Sequence, residues 1–117
     1  MANELRLRTS LTYTKGSVTL SQNPDIQIDV SGVPRQAAVV SVGTSEEAVA
    51  MGDVVTPGVI LVKNLDATNF VQLGATTGVY TIRVKAGEVF PFRLDGTTLF
   101  AIADTAACDC EFIIFSD

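Results

Sequence analysis

GVILVKNL (Gly58–Leu65), NFVQLG (Asn69–Gly74), VYTIRVK (Val79–Lys85), EVFPFRL (Glu88–Leu94), TLFAIAD (Thr98–Asp104) and CDCEFIIF (Cys108–Phe115) follow one another in the second half of the chain. Between them stand only short turn signals such as Asp66-Ala67-Thr68, Ala86-Gly87 and Asp95-Gly96. Each run is apolar, rich in β-branched and aromatic residues, and too short for a packed helix. Half the protein therefore reads as antiparallel β-structure with no crossover helices.

Working outward, the first half repeats the pattern. In Glu4–Tyr13 the residues Leu5, Leu7, Leu11 and Tyr13 fall on one face, with Glu4, Arg6, Arg8 and Ser10 on the other. Lys15-Gly16 reads as a turn, and Val18 and Leu20 continue the alternation. In the run after Pro24, Ile26, Ile28 and Val30 alternate with Asp25, Gln27 and Asp29, which is the signature of a sheet with one wet face. QAAVVSVG (Gln36–Gly43) is a further strand. Thr44–Asp53 is the one helix-like piece, and its length favours a single turn or ordered loop.

About ten strands in 117 residues predict one all-β domain over 1–117, with 1–13 as an N-terminal arm or edge strand. The expected architecture is an antiparallel β-sandwich, with the jelly roll as one form of it and a small closed barrel as the alternative.

Register arithmetic makes this specific. A four-residue Asp66–Asn69 loop would pair Leu65 with Phe70, Lys63 with Gln72 and Val62 with Leu73, so that Ile60, Val62, Val71 and Leu73 share a face. A two-residue Ala86-Gly87 hairpin would mix faces. A three-residue loop, aligning Tyr80, Ile82 and Val84 with Leu94, Phe92 and Phe90, or a corner between sheets, is preferred. Pro91 then lies on the outer face beside Arg83, in an edge strand, because proline donates nothing to a ladder. In the last strand Cys108, Cys110, Phe112 and Ile114 share one face, and Ile113 and Phe115 the other. Apolar residues on both faces point to burial on both sides or to a docking patch.

Composition limits the chemistry. Apolar residues make up 47% of the chain and charged ones 18%, below the usual quarter, so subunit contacts are the natural place for the surplus. Apolar runs such as Val59–Val62 are far too short for a bilayer, and no apolar stretch follows Met1, so neither a membrane span nor a secretory signal is expected. Net charge is −5 and the eight basic residues are scattered, which argues against nucleic acid. There is no histidine, which removes His-based acid–base catalysis and most metal sites. Cys108 and Cys110, about 6.7 Å apart along a strand, would form a strained bridge and read as reduced, buried residues. Glu46, Glu47, Asp104, Asp109 and Glu111 read as solvated acids rather than a catalytic pair. The glycines are dispersed at turns, and Asp66, Asn69, Asp95 and Asp104 are explained by turn chemistry. No catalytic, cofactor or metal site is expected.

The strings GVILVKNLDATNFVQLG, YTIRVKAGEVFPFRL and AIADTAACDCEFIIF, about half the chain, resemble small β-sandwich structural proteins of tailed-bacteriophage virions. The corresponding elements here are Lys63–Val71, Lys85–Glu88 and Ala103–Ala107. The resemblance implies a virion component made in the host cytoplasm, such as a head decoration or tail-associated protein. It would self-associate, with a trimer favoured, and contact major capsid or tail proteins. Candidate contact residues are Leu5, Leu7, Lys63, Gln72, Arg83, Pro91, Ile113 and Phe115. The alternative is a carbohydrate- or receptor-binding sandwich. There is no tryptophan for a sugar platform, Tyr13, Tyr80, Phe90 and Phe92 fall on core faces, and Phe70 and Phe100 remain as candidates.

Overall fold

The computed structural model describes residues 4–117, and among these every regular element is a β-strand. By their contacts the residues fall into two compact units, Met1–Ser31 and Gly32–Asp117.

The first unit is a long hairpin. β1 (Leu5–Arg8) pairs with β4 (Asp25–Ile28), and β2 (Leu11–Lys15) pairs with β3 (Val18–Gln22). One register runs through both ladders, from Leu5 opposite Ile28 to Lys15 opposite Val18. The gap between them falls where Pro24 has no N–H to give. There the Thr9 amide donates to the Pro24 carbonyl at 2.9 Å and the Ser10 hydroxyl bonds Asn23 Oδ1 at 3.0 Å. Gly16, at φ 60°, lets the two-residue Gly16-Ser17 turn follow the strand twist.

The second unit holds eight strands: β5 (Arg35–Val42), β6 (Glu47–Ala48), β7 (Pro57–Asn64), β8 (Val71–Gly74), β9 (Ile82–Val84), β10 (Val89–Arg93), β11 (Phe100–Ala103) and β12 (Cys108–Ser116). They form two antiparallel sheets of order β10-β7-β12-β5 and β6-β11-β8-β9. The pairing is nested: β5 with β12, β6 with β11, β7 with β10 and β8 with β9. That is one long hairpin, bent over at each corner so that its strands divide between two layers. Rolling it adds the contacts β7–β12 and β8–β11. The result is a β-sandwich with the strand order of a jelly roll, and not a closed barrel.

The core lies between the layers. Val42, Ile60, Val62, Cys108, Cys110, Phe112 and Ile114 enter it from one sheet, and Val71, Leu73, Val84, Ala101 and Ala103 from the other. Val49, Val54, Leu94 and Leu99 close it from the connections.

Two expected registers are corrected. β7 and β8 lie in different sheets, so Leu65–Phe70, Lys63–Gln72 and Val62–Leu73 are not ladder pairs. Ile60 and Val62 meet the same core as Val71 and Leu73 from opposite layers. Alternation alone cannot separate this from lateral pairing, because both bury every second residue. Likewise β9 and β10 are in different sheets, so Tyr80, Ile82 and Val84 do not align with Leu94, Phe92 and Phe90. The corner between sheets forms instead, and Phe90 and Phe92 pair with Val62 and Ile60. Ala86-Gly87 does occupy the centre of a tight turn, closed by Glu88 N–H to Lys85 O at 3.0 Å with Gly87 at φ 77°. Pro91 sits in β10, an edge strand, as its missing donor requires. Thr44–Asp53 holds β6 and turns rather than a helix.

Asn64 secures the corners. It is 2% exposed, and its Nδ2 donates to the carbonyls of Asn69 at 3.0 Å and Val84 at 3.1 Å. Its Oδ1 accepts the Asp66 amide at 3.0 Å, and its backbone bonds Glu88 and Gly87, each at 3.0 Å. Asp66 Oδ2 in turn accepts the amides of Thr68 and Asn69 at 3.0 and 2.7 Å. Replacing Asn64 with Ala strands two carbonyls and an amide at the end of the core. We expect a loss of about 2–4 kcal/mol in chemical denaturation, with the all-β circular dichroism spectrum retained.

Candidate functional site

The described residues offer surfaces rather than a cleft, and each surface follows from strand alternation. On the hairpin, odd positions of β1 and β2 share a face with even positions of β3 and β4. That face carries Leu5, Leu7, Leu11, Tyr13, Val18, Leu20, Ile26 and Ile28. The other carries Arg6, Arg8, Ser10, Thr12, Thr14, Thr19, Ser21, Asn23, Asp25 and Gln27. Leu5 and Leu7 are half-buried, whereas Leu11 (53%), Tyr13 (48%), Val18 (58%), Leu20 (50%) and Ile26 (49%) are exposed. Tyr13 is thus no core residue: a two-stranded ribbon shields its side chains only against their cross-strand neighbours. On the polar face Asp25 accepts two bonds from Arg6, at 2.6 and 3.0 Å, and Arg8 Nε stands 3.5 Å away. The Arg6 bonds hold the Asp25 carboxyl below its ordinary range. An open cavity of ≈ 380 Å³ marks the ladder's gap, lined by Arg8, Thr9, Ser10, Asn23, Pro24 and Asp25. Its cation and anion neutralise each other.

The outer face of the β10-β7-β12-β5 sheet gathers four of the sequence candidates. Pro91, Leu61, Ile113 and Ala37 form one row across all four strands. Val89, Lys63, Glu111 and Val39 form the next, with Lys63 Nζ 3.2 Å from Glu111 Oε1 at its centre. Phe115 follows, at the register shift near the end of β12, opposite Arg35 of β5. The row ends Val39 (58%) and Val89 (49%) are exposed.

Gln72 and Arg83 lie on the other sheet, directly opposite each other, with Ile102 beyond Gln72. Arg83 stacks on Phe70, its guanidinium carbon 4.1 Å from the ring centroid, so that ring is a cation–π partner rather than an open platform. The eight candidates therefore separate into three surfaces: Leu5 and Leu7; Lys63, Pro91, Ile113 and Phe115; Gln72 and Arg83. Pro91 stands beside Leu61 and not beside Arg83. Sequence reading missed Leu11, Val18, Leu20, Ile26, Val39 and Val89 as contact candidates. The signal for the hairpin residues was present, since their opposite face is wholly polar. Phe90, read as core, points inward but is 45% exposed because β10 is an edge.

Two other clusters have structural partners. Glu46 accepts hydrogen bonds from the Thr77 and Tyr80 hydroxyls and, at 2.6 Å, from the Gly78 amide. These hold its carboxyl below the ordinary range and raise the Tyr80 phenol. The loop they tie down passes so close to Gly74 that a Cβ there would lie 1.8 Å from the Val79 carbonyl oxygen. Cys108 and Cys110 are free thiols, fully buried on the inner face of β12. Burial raises both, Cys110 to about 12. No group of three or more potential metal-ligating side chains occurs among the described residues.

No protein-family model, no curated protein and no solved structure matches this chain.

Two outcomes are expected. Cys108 and Cys110 should resist a thiol reagent at pH 8 in the native protein and both react in denaturant; prompt native labelling would contradict their burial. Glu46 has a folded pKa below its unfolded value near 4.5, so its contribution is complete above that pH and fades as pH falls below it. The stability gap between wild type and Glu46→Gln should accordingly be constant from neutrality to about pH 5 and narrow in more acid solution.

Proposed function

We propose that this chain is a non-enzymatic structural subunit of a tailed-bacteriophage virion, self-associating and docking on a head or tail lattice to stabilise the particle. The observation that carries the reading is the placement of apolar side chains. The sandwich has its own core, yet a four-strand apolar row (Pro91, Leu61, Ile113, Ala37) lies on its outer face, and Leu11, Tyr13, Val18, Leu20 and Ile26 of the hairpin are half exposed. Surfaces of this kind suit protein contacts. The jelly-roll order supports it as an analogy, since capsid proteins use that roll, but lectins use it as well, and fold alone does not decide between them.

On this reading the partners are other copies of the chain, as a trimer, and a major capsid or tail protein. The net charge of −5 favours contacts away from packaged nucleic acid. Neither a cofactor nor a membrane enters the proposal. Lys63, Pro91, Ile113 and Phe115 form the main docking face, with Gln72 and Arg83 on a second.

Co-sedimentation of the purified protein with heads and, separately, with tails lacking it tests the proposal. Saturable binding to one of the two is expected. Ile113→Glu, outward and half-buried, should weaken that binding about tenfold or more. Binding to neither particle, together with saturable binding on a glycan array, would replace this reading with the recognition module.

A further inference from the structure

We propose that the apolar face of the Leu5–Ile28 hairpin packs against the same face of a second copy of this chain. The proposal deepens the self-association in the reading above and rests on that part of it alone.

A two-stranded hairpin is marginal at best in water, and a third strand or a covering layer is needed to hold it. This one nonetheless keeps a single register through both ladders, across the gap at Pro24. Its residues separate by polarity: one face apolar apart from Thr9, Gln22 and the tip Lys15, the other polar throughout. Leu11, Tyr13, Val18, Leu20 and Ile26 are half exposed. A two-stranded ribbon of this kind has no second layer of its own.

Charge and area identify the layer. The ribbon's ionic groups Arg6, Arg8 and Asp25 are on the polar side and already paired with one another. The apolar side carries only Lys15 at the turn, so two such faces can meet without bringing like charges together along their length. A capsid or tail protein reading this face would have no charge pattern to recognise, whereas a copy of the same face matches it in polarity. The exposed apolar area is on the order of 500 Å² per ribbon, the size of a monomer's largest and often functional patch. Two such faces would together bury at most roughly 1,000 Å², the size of a weak interface. Such a contact is isologous: the surface on one copy is the surface on the other, so the pairing closes on two copies and is a contact additional to the one that builds the trimer.

The contact differs from strand addition. It uses the side chains of one face and leaves the outer backbone edges of β1 and β4 unused. Polar-face substitutions should therefore be silent, and apolar-face charges should separate the copies.

The test is sedimentation equilibrium of the full chain. Wild type should be associated at about 100 μM, and Leu11→Asp with Leu20→Asp should weaken association at least about 30-fold, the effect of losing one hot-spot contact. Thr12→Lys with Ser21→Asp, opposite charges at directly facing positions of the polar face, should keep the wild-type mass. Protection of Cys108 and Cys110 reports that the sandwich is intact in each variant. If the Asp pair abolishes that protection, the milder Tyr13→Ser with Val18→Ser takes its place with the same expectation. A monomeric wild type overturns the proposal. So does an apolar-face variant that keeps wild-type mass, or a polar-face variant that dissociates equally. Measuring particle binding in parallel separates the two claims. A protein that self-associates but binds no particle refutes the virion role alone, and one that binds particles as a monomer refutes the hairpin contact alone.

Discussion

Asn64 makes the connection on which the sandwich depends. At the end of β7 the chain must leave one sheet and enter the other, which strips carbonyl and amide groups from any ladder at the mouth of an apolar core. A single buried amide side chain meets three of them: it donates to Asn69 and Val84 and accepts from Asp66. Its backbone meets the returning corner at Gly87 and Glu88. Thr105 binds Asn69, and the Asp104 amide binds the Phe70 carbonyl, so a third connection joins at the same end. An unsatisfied group in such a place costs more than an ordinary hydrogen bond contributes, which is why the short string Asn64–Asn69 is so densely bonded.

With the corners held, the rest follows from a nested hairpin. Rolling it over gives every strand of the second unit an inner face against the other layer and an outer face away from it. Inner positions become the core, down to the two cysteine thiols, whose burial raises their pKa values. Outer positions have no such demand placed on them. Where they are nevertheless apolar, as along Pro91, Leu61, Ile113 and Ala37, packing within this unit does not account for them. The first unit follows the same nested pairing without a second layer of its own, and its apolar face shows the consequence.

The strands themselves were legible because alternation is local. Leu5, Leu7, Leu11 and Tyr13 declare one face of a ribbon by spacing alone, and Cys108, Cys110, Phe112 and Ile114 one face of the last strand. Pro91 declared an edge because a proline cannot serve a central ladder. The contact candidates were less legible. Gln72 and Lys63 were read as neighbours, as were Arg83 and Pro91, and each pair is divided between sheets. Those readings assumed that strands joined by a short turn lie side by side.

By itself, then, the amino-acid sequence determined the secondary structure, the side of each strand that is apolar, and the absence of any histidine-based chemistry, since all of these depend on residue identity and near spacing. The tertiary structure decided which strands pair, which corners cross between layers, and which apolar faces are covered. Tyr13 and Phe112 carry equally apolar patterns, yet one is half exposed and the other wholly buried. Only the presence or absence of a second layer separates them, and that depends on pairings between residues far apart in the chain.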